Sequence, residues 1–87
     1  VPAVRKLCER VGLRPQHLDD VQHNEAFASQ SVACLRQLGI PEDGAHVNPH
    51  GGAIALGHPL GMSGARIAGT LVRAMAQTGA RRGLATM

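Results

Sequence analysis

The sequence predicts an α/β fold. Segments with apolar residues at helical spacing, each closed by a glycine, alternate with short runs that read as strands. A glycine-rich stretch separates the second helical segment from the third. The resulting order is helix, strand, helix, glycine loop, helix, strand, which implies helices layered on a sheet.

Each element has a local reason. Pro2 suits the first turn of a helix, where a missing N–H costs nothing. Val4, Leu7, Cys8 and Val11 repeat along one face, and Gly12 can close the helix. Leu13 to Asp20 reads as a polar connection. Val21-Gln22-His23 reads as a short strand, weak in composition. Asn24 is a good N-cap for the next helix, with Glu25 favourable in its first turn. Phe27, Cys34, Leu35 and Leu38 lie near one face, Ala28 and Val32 widen it, and Gly39 ends the helix. Ile40 to His46 is a loop. After the glycine-rich stretch, Ser63 is placed to cap a third helix. Its expected apolar face is Ile67, Ala68, Leu71, Val72 and Met75, with Gly79 as its end. Gly83 to Met87 reads as a closing strand.

The bulk properties exclude several functions. The chain has 87 residues, begins at Val1 and has one aromatic residue, Phe27. So small a core has little stability to spare, which points to part of a larger domain. Nine Lys/Arg against six Asp/Glu give a net charge of +3, spread without a basic stripe. Nucleic-acid binding, with its basic track and stacking aromatics, is not expected. No apolar run approaches membrane-spanning length. Cys8 and Cys34 fall on apolar helix positions and read as buried free thiols in a reducing compartment.

The chemistry concentrates in residues 48–66, where Gly51, Gly52, Gly57, Gly61 and Gly64 surround His58. A phosphate loop is excluded: no Gly-Lys-Ser/Thr follows, and Gly57, Gly61 and Gly64 miss the G-x-G-x-x-G spacing. A metal site from His46, His50 and His58 lacks a helix to align the first two, and no metal is expected. His58 between Gly57 and Pro59, close to a helix N-terminus, is a candidate acid/base group. On spacing alone an ordinary loop histidine with ordinary hydrogen bonds is the better reading. Asn24 similarly needs no role beyond its cap, and Phe27 is by default a core residue.

Two motifs resemble a known family. Asn24-Glu25-Ala26-Phe27 is similar to the N-E-A-F motif of thiolases. Val47-Asn48-x-x-Gly51-Gly52-Ala53-Ile54-Ala55-Leu56-Gly57-His58-Pro59-x-Gly61-x-Ser63-Gly64-Ala65-Arg66 resembles their G-H-P motif with its surroundings. Gly83 to Met87 resembles the strand before their C-x-G motif. The resemblance implies a partial thiolase C-terminal domain over 1–87, with layered helices and a mixed sheet. It implies Claisen acyl transfer on coenzyme A thioesters, the acyl-CoA and acetyl-CoA chemistry of fatty acid metabolism, with no cofactor. His58 would deprotonate a nucleophilic cysteine and donate to the thioester oxygen. Asn24 would anchor a water that completes this oxyanion hole. Phe27, Ala26 and Gly57 would line the substrate pocket.

The resemblance also sets what lies elsewhere. The nucleophilic cysteine would sit in an N-terminal thiolase half, and the acid/base cysteine just after Met87, so the isolated chain is expected to be inactive. Gln22-His23 is more polar than is common before Asn24, which points to an edge strand. The parent would be a homodimer or homotetramer, cytoplasmic in a bacterium, with mitochondrial or peroxisomal placement as alternatives. Ketosynthase relatives share the fold but not these two motifs. A non-catalytic lipid- or CoA-binding relative is the reading from another class.

Overall fold

The structure, a computed structural model, describes residues 1–87. It contains α1 (Pro2–Val11), β1 (Asp20–His23), α2 (Ala28–Leu38), α3 (Ala53–Leu56), α4 (Ser63–Thr78) and β2 (Gly83–Thr86). The three long helices stop where glycine takes a left-handed conformation, Gly12, Gly39 and Gly79, with φ of 69°, 68° and 71°. A side chain there would crowd the backbone, so the local signal suffices to end each helix.

The strands β1 and β2 pair in parallel, with Val21 opposite Leu84 and His23 opposite Thr86. Parallel neighbours need a crossover, and α2, α3 and α4 supply it. On the other side of β1, Val21 forms a parallel bridge to Val47, whose flanking residues exchange backbone bonds with Val21. Both pairings are parallel; the antiparallel pairing of a mixed sheet is not formed within this chain. The bridge also makes β1 a central strand. All four of its residues are buried, so the expected edge strand is not found. Within β1 the Gln22 Nε2 donates to Asp20 Oδ1 at 2.9 Å, while the Gln22 Oε1 is buried without a partner.

Alternation along β1 sorts the layers. Val21 and Leu84 join Val4, Cys8, Leu35, Leu38 and Ile40 in the core between the sheet, α1 and α2. The opposite face meets α4. There Leu71 and Met75 lie so close to Gly83 that a Cβ at that position would collide with both.

Several expectations shift. The connection after α1 contains a short 3-10 turn, Pro15–His17, and the strand begins one residue early, at Asp20. Helix α2 starts at Ala28 rather than behind an Asn24 cap. The Asn24 N–H donates to Thr86 O at 2.9 Å, which continues the strand ladder and keeps Asn24 extended. Phe27 flanks the helix and is 73% exposed, so it is not a core residue. In α4 the buried stripe runs through Ser63, Ile67 and Ala74, and Val72 is exposed; the predicted face is rotated. Only Val4 and Cys8 of the α1 stripe are buried. The short α3 within the glycine-rich stretch has no periodic signal in its four residues.

Candidate functional site

The site forms where the C-terminal end of β1 meets the N-terminal end of α4. Side chains alternate across a strand, so Asn24 follows Gln22 on the face that meets α4, and His23 points toward α2. Asn24 is buried at 5% exposure. Its Nδ2 lies 3.4 Å from His58 Nε2, which joins residues 34 apart in sequence. The Asn24 Oδ1 is buried without a partner. An extended backbone at Asn24 and an amide turned to His58 replace the expected cap.

His58 is held from the other side by Ser63. The His58 Nδ1 and Ser63 Oγ are hydrogen-bonded, and Ser63 is fully buried. Ser63 is the first residue of α4 and Met62 takes the N-cap position, so the expected serine cap is not made. The turn before the helix explains this. The Pro59 carbonyl accepts from the N–H groups of Met62 and Ser63, and the Ser63 Oγ lies 3.4 Å from the same oxygen. Serine commonly bonds back to the carbonyl four residues earlier.

A second hydrogen-bonded group locks the glycine-rich stretch onto β1. The Asn48 Oδ1 accepts from the His23 N–H at 2.8 Å, and its Nδ2 donates to the His23 carbonyl at 2.8 Å. The same Nδ2 lies 3.2 Å from Glu25 Oε2. The other Glu25 oxygen accepts from the Ile54 N–H at 3.2 Å. Gly52 passes between these side chains, where a Cβ would overlap the Glu25 carboxylate and the Asn48 amide. Close approach is therefore the reason for glycine at position 52. At Gly57 the reason is different. Nothing lies within 4 Å of a Cβ there, but its φ of 93° and ψ of 164° exclude other residues. The close approach along this stretch is thus made by Gly52.

Next to Asn24, His23 has a shifted ionisation. Burial pushes its imidazole below the ordinary 6.5, and Glu25 opposes this only in part. The Gln30 amide nitrogen lies 3.3 Å from its Nε2 and 3.4 Å from Cys34 Sγ. A cleft of about 370 Å³ opens beside His23, lined by Glu25, Asn48 and Ile54 among others. Asn24 and His58 lie outside it.

Of the predicted site residues, the structure brings His58 and Asn24 together. Phe27 and Ala26 are exposed beside them in sequence and touch neither ring nitrogen of His58. Cys8 lies in the core as expected, whereas Cys34 is only half-buried and bonds to Gln30, so neither thiol is placed at His58. No group of three His, Cys, Asp or Glu side chains is arranged to hold a metal ion. No helix is long and apolar enough to cross a membrane. The residues missed from sequence are Ser63, Asn48 and Glu25 as hydrogen-bonding partners of the site. Asn48 carried one readable signal, because asparagine tolerates the left-handed backbone its φ of 43° adopts.

Chemically, an imidazole with one nitrogen tied to a buried hydroxyl and the other beside an amide can take a proton and give it back. With Asn24 it can also present donors to a developing negative charge on oxygen.

Comparison with known proteins bears on which chemistry uses this arrangement. The family model described as "Thiolase, C-terminal domain" matches residues 1–87. The chain is 60% identical over 87 residues to a beta-ketoadipyl-CoA thiolase of Pseudomonas aeruginosa, covering 100% of the chain and 22% of that protein. It is 53% identical over 87 residues to a 3-oxoadipyl-CoA/3-oxo-5,6-dehydrosuberyl-CoA thiolase of Escherichia coli, again covering 100% of the chain and 22% of the relative. A 3-ketoacyl-CoA thiolase of Aliivibrio salmonicida is 51% identical over 90 residues, covering 100% of the chain and 23% of that protein. The chain therefore spans about 22% of the length of the curated relatives it matches.

Proposed function

The chain belongs to the thiolase family, and from that premise we propose that it supplies the histidine half of a thiolase active site. The observation that carries the reading is the meeting of Asn24 and His58 across the end of β1. Each residue comes from one of the two motifs, and the two side chains lie 3.4 Å apart.

In this reading a cysteine from the remainder of the protein approaches the Nε2 side of His58. The S–H proton passes to Nε2, leaving a thiolate that attacks the substrate carbonyl. The Nε2–H then donates to the thioester oxygen, and Asn24 completes the donor set through a water. Charge that develops on that oxygen is stabilised by donors already oriented, which is where such sites gain most of their rate. Ala26, Phe27 and Gly57 line the pocket for the acyl and pantetheine parts. Phe27 suits this role because an exposed aromatic ring is available to cover an apolar ligand. Residues 1–87 form part of a C-terminal domain, and the complete protein is a cytoplasmic homodimer or homotetramer that needs no cofactor.

For the substrate we propose a 3-oxoacyl-CoA whose acyl chain ends in a carboxylate. The support is the names of relatives at 60% and 53% identity, both of which refer to a ketoadipyl thioester. The test uses the complete protein that carries this chain. CoA-dependent cleavage of 3-oxoadipyl-CoA should exceed cleavage of acetoacetyl-CoA. His58→Ala should lower both cleavage and alkylation of the reactive cysteine by about 100-fold or more. Full activity in that variant would overturn the assignment of His58. Thioester binding without cleavage in the unaltered protein would favour a non-catalytic CoA-binding role.

A further inference from the structure

We propose that Ser63 is a positioning residue that holds neutral His58 with its proton on Nδ1, so that Nε2 carries the lone pair and no proton. The proposal rests on reading His58 as the base, but it concerns a property of the ring that can be measured without turnover.

Two independent contacts point the same way. On one side, Ser63 Oγ lies between His58 Nδ1 and the Pro59 carbonyl. A carbonyl only accepts, so the serine hydroxyl donates to Pro59 O and accepts from an Nδ1–H. On the other side, Asn24 presents its Nδ2 to His58 Nε2. An amide nitrogen only donates, so Nε2 must accept and carries no proton. As placed, the amide leaves Oδ1 and one N–H without a protein partner; turned over, it would leave both N–H groups without one. With the ring proton on Nδ1 against Ser63, neutral Nε2 is bare, and an amide N–H is the group that can pair with it.

The burial of Ser63 makes the arrangement selective. At 0% exposure the hydroxyl has no bulk water to turn toward. Its place at the first residue of α4, a helix of 16 residues, fixes its Cα against a rigid element. A free neutral imidazole favours the opposite tautomer, with the proton on Nε2. In that form the ring would face an incoming thiol with an N–H and could not take its proton. When Nε2 is protonated, the Nδ1–H stays bonded to Ser63, so the ring need not turn between accepting the proton and donating to oxygen.

The experiment is 15N NMR of the complete protein with selectively labelled histidine, at a pH where His58 is neutral. His58 should show a protonated Nδ1 and an unprotonated Nε2. In Ser63→Ala the populations should move toward the Nε2–H form, and alkylation of the reactive cysteine should slow roughly 10- to 100-fold with little change in thioester KM. A wild-type His58 with its proton on Nε2 overturns the proposal whether or not the variant folds. An unchanged tautomer in a folded Ser63→Ala protein does so as well. An inactive wild-type protein whose His58 carries the Nδ1 proton would instead sink the thiolase reading and leave this one standing.

Discussion

Asn48 offers a direct test of how the two halves of the site are joined. Its side chain makes both backbone bonds to His23, each at 2.8 Å, and a third contact to Glu25 at 3.2 Å. His23 is 5% exposed, so its N–H and carbonyl have little access to replacement water. Leaving a buried donor or acceptor unpaired costs about 1–3 kcal/mol, and two are orphaned here. Partial relaxation brings the expected loss for Asn48→Gly to about 2–4 kcal/mol. Asn48→Ala adds a second term. Position 48 has a φ of 43°. Alanine there pays about 1–2 kcal/mol of left-handed strain, against about 0.5–1 for the extra chain entropy of glycine. The alanine variant should therefore be the less stable by about 0.5–1 kcal/mol. Urea denaturation with a shared m-value measures both differences. An alanine variant as stable as wild type, or more stable than the glycine variant, would refute the reasoning. In the complete protein both variants should also lose turnover, because His23 adjoins Asn24 and the Asn48 pair sets its register.

Three further outcomes follow from the geometry. Asn24→Ala in the complete protein should lower turnover by about 100-fold. Its backbone bond to Thr86 is retained, so the urea midpoint should move little; a large stability loss with normal turnover would assign Asn24 to the fold alone. Phe27→Ala should change stability by no more than about 0.5 kcal/mol, since the ring is 73% exposed. The KM for the thioester should nevertheless rise, and an unchanged KM would remove Phe27 from the pocket. For His23 the folded value lies below the ordinary 6.5 because burial disfavours the charged ring. The unfolded chain then binds the proton first, so stability is full above about 6.5 and falls as pH drops toward the folded value. His23→Gln should flatten this part of the stability-against-pH curve, and an identical slope would show that His23 does not contribute.

Much of the fold was legible because its signals are local. The three glycines that end α1, α2 and α4 act through their own backbone conformation, and the helical spacing before them depends on nearest turns. The errors arose where a local preference met a long-range partner. Asn24 is a good cap by type, but its N–H is taken by Thr86 of β2, so the chain stays extended and α2 starts later. Ser63 is a good cap by type, but the turn from Pro59 places its hydroxyl against His58. The composition of β1 pointed to an edge, yet the bridge to Val47 covers its second side. Phe27 had the composition of a core residue, and the contacts that would bury it are not made within this chain.

The sequence by itself determined the helix ends, the α/β order and the two motifs that mark the family. Each depends on side-chain chemistry within a few residues or on a run of matched positions. The resemblance put Asn24 and His58 at one oxyanion hole, but only the tertiary structure decided that their side chains touch directly, that Ser63 holds the other ring nitrogen, and that Asn48 and Glu25 clamp the glycine-rich stretch to β1. Except for the Ser63 bond, these contacts join residues more than 20 positions apart. Their geometry follows from the pairing of β1 and the packing of α4 on the sheet, which no local pattern encodes.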